Sequence, residues 1–255
     1  MLDPPGAASN AHKLLLEARG ITRRFGGLLA VSDLTFELRE GEILGLIGPN
    51  GAGKSTTFNL LSGFYRLTSG SISFLGERLE SGHPWKAARR GLIRTFQHDS
   101  LLKDMTVYDN ILIGACQSIR RPSERDTRVR ETARIMHLDG LLDETARNLP
   151  HGLQRMLSMA IAFAGRPKLL CLDEPLTGLN QTEAAEALKV IRRLRDEFGT
   201  SILFVEHNMR AVMSLCDRIV VLHHGRKLAS GTPAEISNDP VVIDAYLGGA
   251  IDAAD

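Results

Sequence analysis

Two kinds of apolar pattern run along the chain. Residues 43–47, 169–172, 202–205 and 219–222 are continuous apolar runs of strand length, as expected of strands buried on both faces. Residues 14–18, 34–38 and 71–75 are short strand-like runs broken by turn residues, with Gly26-Gly27 and Glu40-Gly41 marking two of the turns. This N-terminal part predicts a small antiparallel sheet. Residues 55–62 read as a helix close behind the first buried strand. Residues 182–198 predict a longer one, because Ala184, Leu188, Ile191, Leu194 and Phe198 recur at helical spacing. Asn180 stands near its N-cap and Gly199 just past its end. Strand, helix and strand in succession predict parallel pairing through right-handed crossovers. The middle, about residues 99–158, has no apolar strand run and many helix formers, as in 131–138. It predicts a helical insertion inside an α/β core. Residues 1–12 and 249–255 read as tails around a single domain, 13–248, and residues 1–12 lack the pattern of a signal peptide.

The decisive chemistry follows the first buried strand. Gly48, Pro49, Asn50, Gly51, Ala52, Gly53, Lys54, Ser55 and Thr56 form a run with two glycines spanning four residues and then Lys-Ser, the pattern of a phosphate-binding P-loop. Glycines let the backbone curl until successive N–H groups point at phosphate oxygens. The following helix adds the positive end of its dipole. Lys54 is placed to reach the β- and γ-phosphates of ATP, and the Ser55 hydroxyl to ligate Mg2+.

Residues 169–172 lead into Asp173, Glu174 and Pro175. A strand ending in two carboxylates puts both at the edge where α/β ligands bind. Asp173 is expected to hold magnesium through water, and Glu174 to polarise the attacking water. An Asp-Glu pair before proline is also an ordinary helix start, and the P-loop upstream decides between the two readings. Phe204-Val205-Glu206-His207 is again a strand ending in polar groups. A lone histidine there is more often structural. After the carboxylate pair, His207 is expected to bond the γ-phosphate and orient the water.

Composition narrows the class. Lysine plus arginine number 31 and aspartate plus glutamate 30, so the basic excess of a nucleic-acid binder is missing. Paired arginines such as Arg89-Arg90, Arg120-Arg121 and Arg192-Arg193 read as solvated faces. No run approaches the roughly 18–20 apolar residues of a membrane helix, so a membrane role falls to partners. Cys116, Cys171 and Cys216 stand far apart among apolar residues. They read as core hydrophobes in a reducing cytoplasm.

In their order, the P-loop, Gln97 after the strand-like Ile93-Arg-Thr-Phe, Asp173-Glu174, Leu179-Asn180 and His207 resemble the ABC ATPase family. The resemblance implies an α/β P-loop NTPase (RecA-like) core with an N-terminal antiparallel β subdomain and an inserted α-helical subdomain. It implies that Phe25 stacks on adenine, and that Gln97 touches magnesium or water and senses a membrane partner. It also implies two domains meeting head to tail around two ATP molecules, each between one P-loop and the other chain's signature helix.

The family's signature, usually Leu-Ser-Gly-Gly-Gln, here reads Leu149-Pro150-His151-Gly152-Leu153. Pro150 cannot supply the serine hydroxyl, although proline suits the first turn of a helix. Either His151 partly substitutes or the ATP facing this signature occupies the weaker of two sites. Arg24-Phe-Gly-Gly-Leu-Leu-Ala-Val31, Leu61-Ser-Gly-Phe-Tyr65, Arg94-Thr-Phe-Gln-His98, Val205-Glu-His-Asn-Met209 and Ala245-Tyr-Leu-Gly248 are similar to the bacterial branched-chain amino acid importer ATPases. That group tends to lack the signature serine as well, and it implies import of branched-chain or other small amino acids or amides, since it includes relatives moving amides, urea or other small solutes. It implies a second ATPase subunit (a heterodimer, with a homodimer as the alternative), two permease subunits and a periplasmic solute-binding protein. No nucleic acid is expected. The place implied is the cytoplasmic face of a bacterial inner membrane, and residues 98–106 are the expected permease-facing segment. An exporter ATPase of the lipopolysaccharide type is the runner-up. A soluble non-transport ABC ATPase comes third, because the repair type needs a coiled-coil insertion and no sustained heptad run exists.

Overall fold

The computed structural model describes residues 13–95 and 101–251, the last six as backbone only. The chain opens with two long strands, β1 (Leu14–Phe25) and β2 (Leu28–Arg39), paired antiparallel through several register shifts. β3 (Ile43–Ile47) follows and leads through the glycine-rich loop into α1 (Lys54–Leu61). β4 (Ser69–Phe74), β5 (Glu77–Arg78), α2 (Pro84–Arg89) and β6 (Leu92–Arg94) come next. The described chain is then helical, with α3 (Val107–Cys116), α4 (Pro122–Ile135) and α5 (His151–Ala164). β7 (Leu169–Asp173), α6 (Gln181–Asp196), β8 (Ser201–Val205), α7 (Met209–Leu215) and β9 (Arg218–His223) return to strand-helix alternation. β10 (Arg226–Gly231), α8 (Pro233–Ser237) and α9 (Pro240–Ile251) close the chain.

The strands form two sheets. One has the order β2-β1-β4-β5 and is antiparallel; the other has the order β10-β9-β3-β8-β7-β6. In the second sheet only β10 runs antiparallel, against β9. β3, β7 and β8 are buried at every position, which explains their unbroken apolar sequence. One core, with Phe58 and Phe74, lies on the β1 and α1 side of this sheet. The other, with Phe163 and Phe204, lies under α3 to α9, while α2 adds Ala87 to the first.

Helix contacts depend on residues whose roles are invisible in the pattern. A Cβ on Gly114 would sit 1.9 Å from the Ile161 carbonyl oxygen, so α3 and α5 meet backbone to backbone. Buried Arg128 of α4 donates to the Phe163 carbonyl at 2.6 Å, satisfying the end of α5.

The predicted helix at 182–198 begins one residue earlier and stops at Asp196. Asn180 is its N-cap, in a reciprocal capping box with Glu183. Phe198 lies beyond the helix and stacks edge-on against Phe163 at 5.4 Å. Cys171 and Cys216 are core residues, but Cys116 is exposed. It ends α3 off the face that buries Ile111 and Ala115, so apolar neighbours in sequence misplace it. No helix among the described residues is long and apolar enough to cross a membrane.

Candidate nucleotide-binding site

β3 delivers the chain to Gly48, where φ is 156° and a Cβ would lie 2.3 Å from the Leu222 carbonyl oxygen. At Gly53, φ is 99° and a Cβ would lie 2.7 Å from the Ala30 carbonyl oxygen. Backbone passes too close at both points for any side chain. Gly53 is the N-cap of α1 and no side chain caps the helix start, which leaves its first-turn N–H groups for an anion. The buried Lys54 side chain turns back across the loop. Its ammonium donates to the carbonyls of Gly48 at 2.6 Å and Pro49 at 3.0 Å. Burial pulls its pKa below the ordinary lysine value, and Glu174 and Asp173 oppose that shift. Ser55 is exposed and Thr56 half-buried at the start of the same helix.

Asp173 ends β7 and is buried. Burial pushes its carboxyl above the usual range, against the pull of Arg94 and Lys54. Glu174 stands in the left-handed region, φ 47°. It is held there by its N–H, which donates to the Val205 carbonyl at 2.9 Å. The exposed His207 ring follows β8, with Nδ1 3.8 Å from a carboxylate oxygen of Glu174 and 3.8 Å from one of Glu206. Since β3, β8 and β7 are neighbours in one sheet, Lys54, Asp173, Glu174 and His207 gather at its C-terminal edge. Phe25 ends β1, with the Arg23 guanidinium 4.3 Å from its ring centroid and Tyr65 edge-on at 5.3 Å. Gln97 and His98 lie outside the described residues.

The signature stretch is at the start of α5. Pro150 is its N-cap, one position earlier than the first turn, with no side-chain cap bond. A Cβ on Gly152 would approach the Glu183 carboxylate to 2.6 Å, and a Cβ on Gly178 would approach the His151 ring to 2.6 Å. Leu153 is half-buried against the helical core.

The family model described as ABC transporter matches residues 31–177. A second, described as branched-chain amino acid ATP-binding cassette transporter, matches residues 226–252. The chain is similar to the high-affinity branched-chain amino acid transport ATP-binding protein LivG of Salmonella typhimurium. The two are 44% identical over 251 residues, covering 92% of this chain and 98% of LivG.

The chain belongs to the ABC transporter family.

As an ATP-binding subunit of that family it binds nucleotide and is an ATPase. The BraF protein of Pseudomonas aeruginosa, with a corresponding name, is 40% identical over 251 residues, covering 92% of this chain and 98% of BraF. The lipopolysaccharide export ATP-binding protein LptB of Acidithiobacillus ferridurans is 35% identical over 235 residues, covering 92% and 97%. Among solved structures, the ADP conformation of an ATP-binding cassette of an ABC transporter matches with a TM-score of 0.83 at 26% identity, over 92% of this chain and 99% of that one. The P-loop NTPase fold expected from sequence is therefore the fold observed.

Two further residues stand beside the cluster of Lys54, Asp173, Glu174 and His207: Glu206 next to His207, and Arg94 close enough to act on Asp173. Glu206 lay inside the Val205-Glu-His run, where an acid continuing an apolar strand was the available signal. Arg94 donates to Asn59 at 2.6 Å and to Ser62 at 3.2 Å. Nothing in its local sequence distinguishes it from the exposed arginines.

Proposed function

We propose that the chain is the ATP-hydrolysing subunit of a branched-chain amino acid importer. The carrying observation is the convergence of Lys54, Asp173, Glu174 and His207 at one edge of the sheet, beside a loop that only glycines can form. Main-chain N–H groups and Lys54 bind the triphosphate, and Phe25 stacks on the base. Magnesium fits the available donors, the Ser55 hydroxyl and the Asp173 carboxylate, which are hard oxygens. The ion would take its other ligands from phosphate, water and Gln97. Bound there, it would neutralise charge on the β- and γ-phosphates. Glu174 and His207 orient one water. Its oxygen bonds to the γ-phosphorus and one of its protons passes to the Glu174 carboxylate as the bond to the bridging oxygen breaks, releasing ADP.

The signature residues Pro150, His151, Gly152 and Leu153 face the γ-phosphate bound by a second ATPase subunit. The helix start beyond Pro150 supplies N–H donors in place of the missing serine hydroxyl. Of the two permease subunits, one docks on a groove of about 450 Å³ lined by Phe64, Trp85, Ile93, Arg94, Ile113 and Ile161. In the expected permease-facing segment, Leu102 and Met105 are exposed. The subunit is peripheral, at the cytoplasmic face of a bacterial inner membrane, and a periplasmic binding protein supplies the solute.

Vesicles carrying the co-purified complex test this. ATP-dependent uptake of leucine, isoleucine or valine supports the reading. ATP hydrolysis stimulated only by other small solutes, such as amides or urea, changes the solute, and copurification with an export complex replaces the importer with the lipopolysaccharide reading.

A further inference from the structure

Glu206 is a carboxylate at 1% exposure, and no lysine or arginine among the described residues ion-pairs with it. Burying an anion without a cation is costly, and only dense hydrogen bonding offsets the cost. Its two oxygens serve two different segments. One accepts from the Leu176 N–H at 2.9 Å. The other accepts from the N–H groups of His207 at 3.2 Å and Asn208 at 3.5 Å.

Each segment carries one of the water-activating groups. Leu176 belongs to the turn that begins at Glu174, where the Thr177 N–H donates to the Glu174 carbonyl at 3.2 Å and the Leu179 N–H to the Leu176 carbonyl at 3.1 Å. The other segment is the His207-Asn208 turn, whose Asn208 side chain caps α7 by accepting from the Ala211 N–H. Glu206 therefore staples the Glu174 turn to the His207 turn. The His207 ring is left with Nδ1 3.8 Å from each carboxylate, close to both and pinned by neither.

We infer that Glu206 is a positioning residue for ATP hydrolysis, holding Glu174 and His207 in one register around the attacking water. It touches neither phosphate nor water itself. The inference rests on the proposed roles of Glu174 and His207. Glutamine at this position keeps the volume but offers one acceptor and one NH2 group, so it can serve only one of the two turns. Misplacing a catalytic group by about 1 Å costs up to roughly a hundredfold in rate.

The test is a double-mutant cycle in the intact transporter, with Glu206→Gln, His207→Ala and the pair. Glu206→Gln should lower kcat by roughly ten- to a hundredfold with KM for ATP unchanged, as for an interaction made only in the transition state, and should lower the melting temperature because one buried turn loses its acceptor. Added to His207→Ala, it should cost nothing further. The same fractional loss in both backgrounds, or a wild-type kcat in Glu206→Gln, overturns the inference. Glu206→Asp, one methylene too short to reach both turns, serves in the same cycle if the glutamine variant does not fold. A wild-type rate in His207→Ala instead overturns the site reading beneath. A slow His207→Ala beside an unaffected Glu206→Gln leaves that reading standing and removes only the staple.

Discussion

Among the described residues α1, α2, α4 and α5 start without a side-chain cap, and two of these starts, α1 and α5, are built for different tasks. α1 opens from Gly53 with its own cation folded over the loop, and two carboxylates end the strand two places away in the sheet. α5 opens from Pro150 with no lysine or arginine in its first turn. Its first residues are instead fitted to the same chain: His151 against Gly178 and Gly152 against Glu183. The first start has phosphate donors, cation and acid within one chain. The second offers only main-chain donors, and it is fastened to the segment that runs on from Glu174. An anion at the α5 start would meet main-chain N–H groups with no lysine or arginine in the same turn. Whatever moves the 174–183 segment also moves the signature.

The sharpest way to break this comparison is at Glu174. If the α1 side is complete in itself, Glu174→Gln should leave Mg-ATP binding intact and lower kcat by about 10²–10⁴-fold, the usual contribution of a general base. Calorimetry and steady-state turnover measure the two separately. Near-normal turnover would remove Glu174 from the chemistry.

Lys54→Ala comes next. It removes a buried cation that two carbonyls hold in place, and one or more charge-assisted bonds to phosphate. Affinity for Mg-ATP should fall by about 1.5–3 kcal/mol, roughly tenfold to a hundredfold, for each bond lost. Normal affinity would mean that the loop carries the triphosphate by main-chain donors alone, and α1 and α5 would then differ less than their surroundings suggest.

The two starts also differ in how much of them was legible in the sequence. The P-loop could be read because each requirement leaves a residue type behind. Close backbone approach demands glycine at 48 and 53, and phosphate demands lysine at 54. The parallel strands could be read because burial on both faces leaves no polar position. The α5 start was obscure because its fit is tertiary. His151 rests on a glycine 27 places away and Gly152 on a glutamate 31 places away, and no local pattern reports either contact. Arg94, half-buried and bonded to Asn59 and Ser62, and Arg128, buried and bonded to the Phe163 carbonyl, show the same limit, since partners distant in sequence leave a guanidinium with the local sequence of a surface arginine. Cys116 shows the reverse, an apolar neighbourhood on an exposed helix end.

Gly152→Ala sharpens the α5 half. The added methyl meets the Glu183 carboxylate, which also accepts from the Asn180 N–H at 2.9 Å in the capping box of α6. Displacing it should cost about 1 kcal/mol, the typical value of a helix cap, seen as a small fall in melting temperature. The isolated chain should bind Mg-ATP as before, while ATPase activity of the assembled complex falls. Weaker binding by the isolated chain would place the α5 start at its own nucleotide and dissolve the contrast.

The smallest expected effect is at the base. The Phe25 ring has the Arg23 guanidinium 4.3 Å over it and the nearly perpendicular Tyr65 ring at 5.3 Å, so a purine stacks on what these two leave open. Arg23 is itself anchored, donating to the Arg66 carbonyl at 2.9 Å, and stays behind when the ring is removed. Phe25→Ala should therefore delete a single stacking contact, worth about 0.5–1.5 kcal/mol. That is at most roughly a tenfold rise in Kd for Mg-ATP, with kcat unchanged because the base takes no part in the bond-breaking step. Triphosphate alone should bind the variant as well as it binds the parent chain. An equal loss for triphosphate and ATP would show that Phe25 shapes the loop rather than the base pocket.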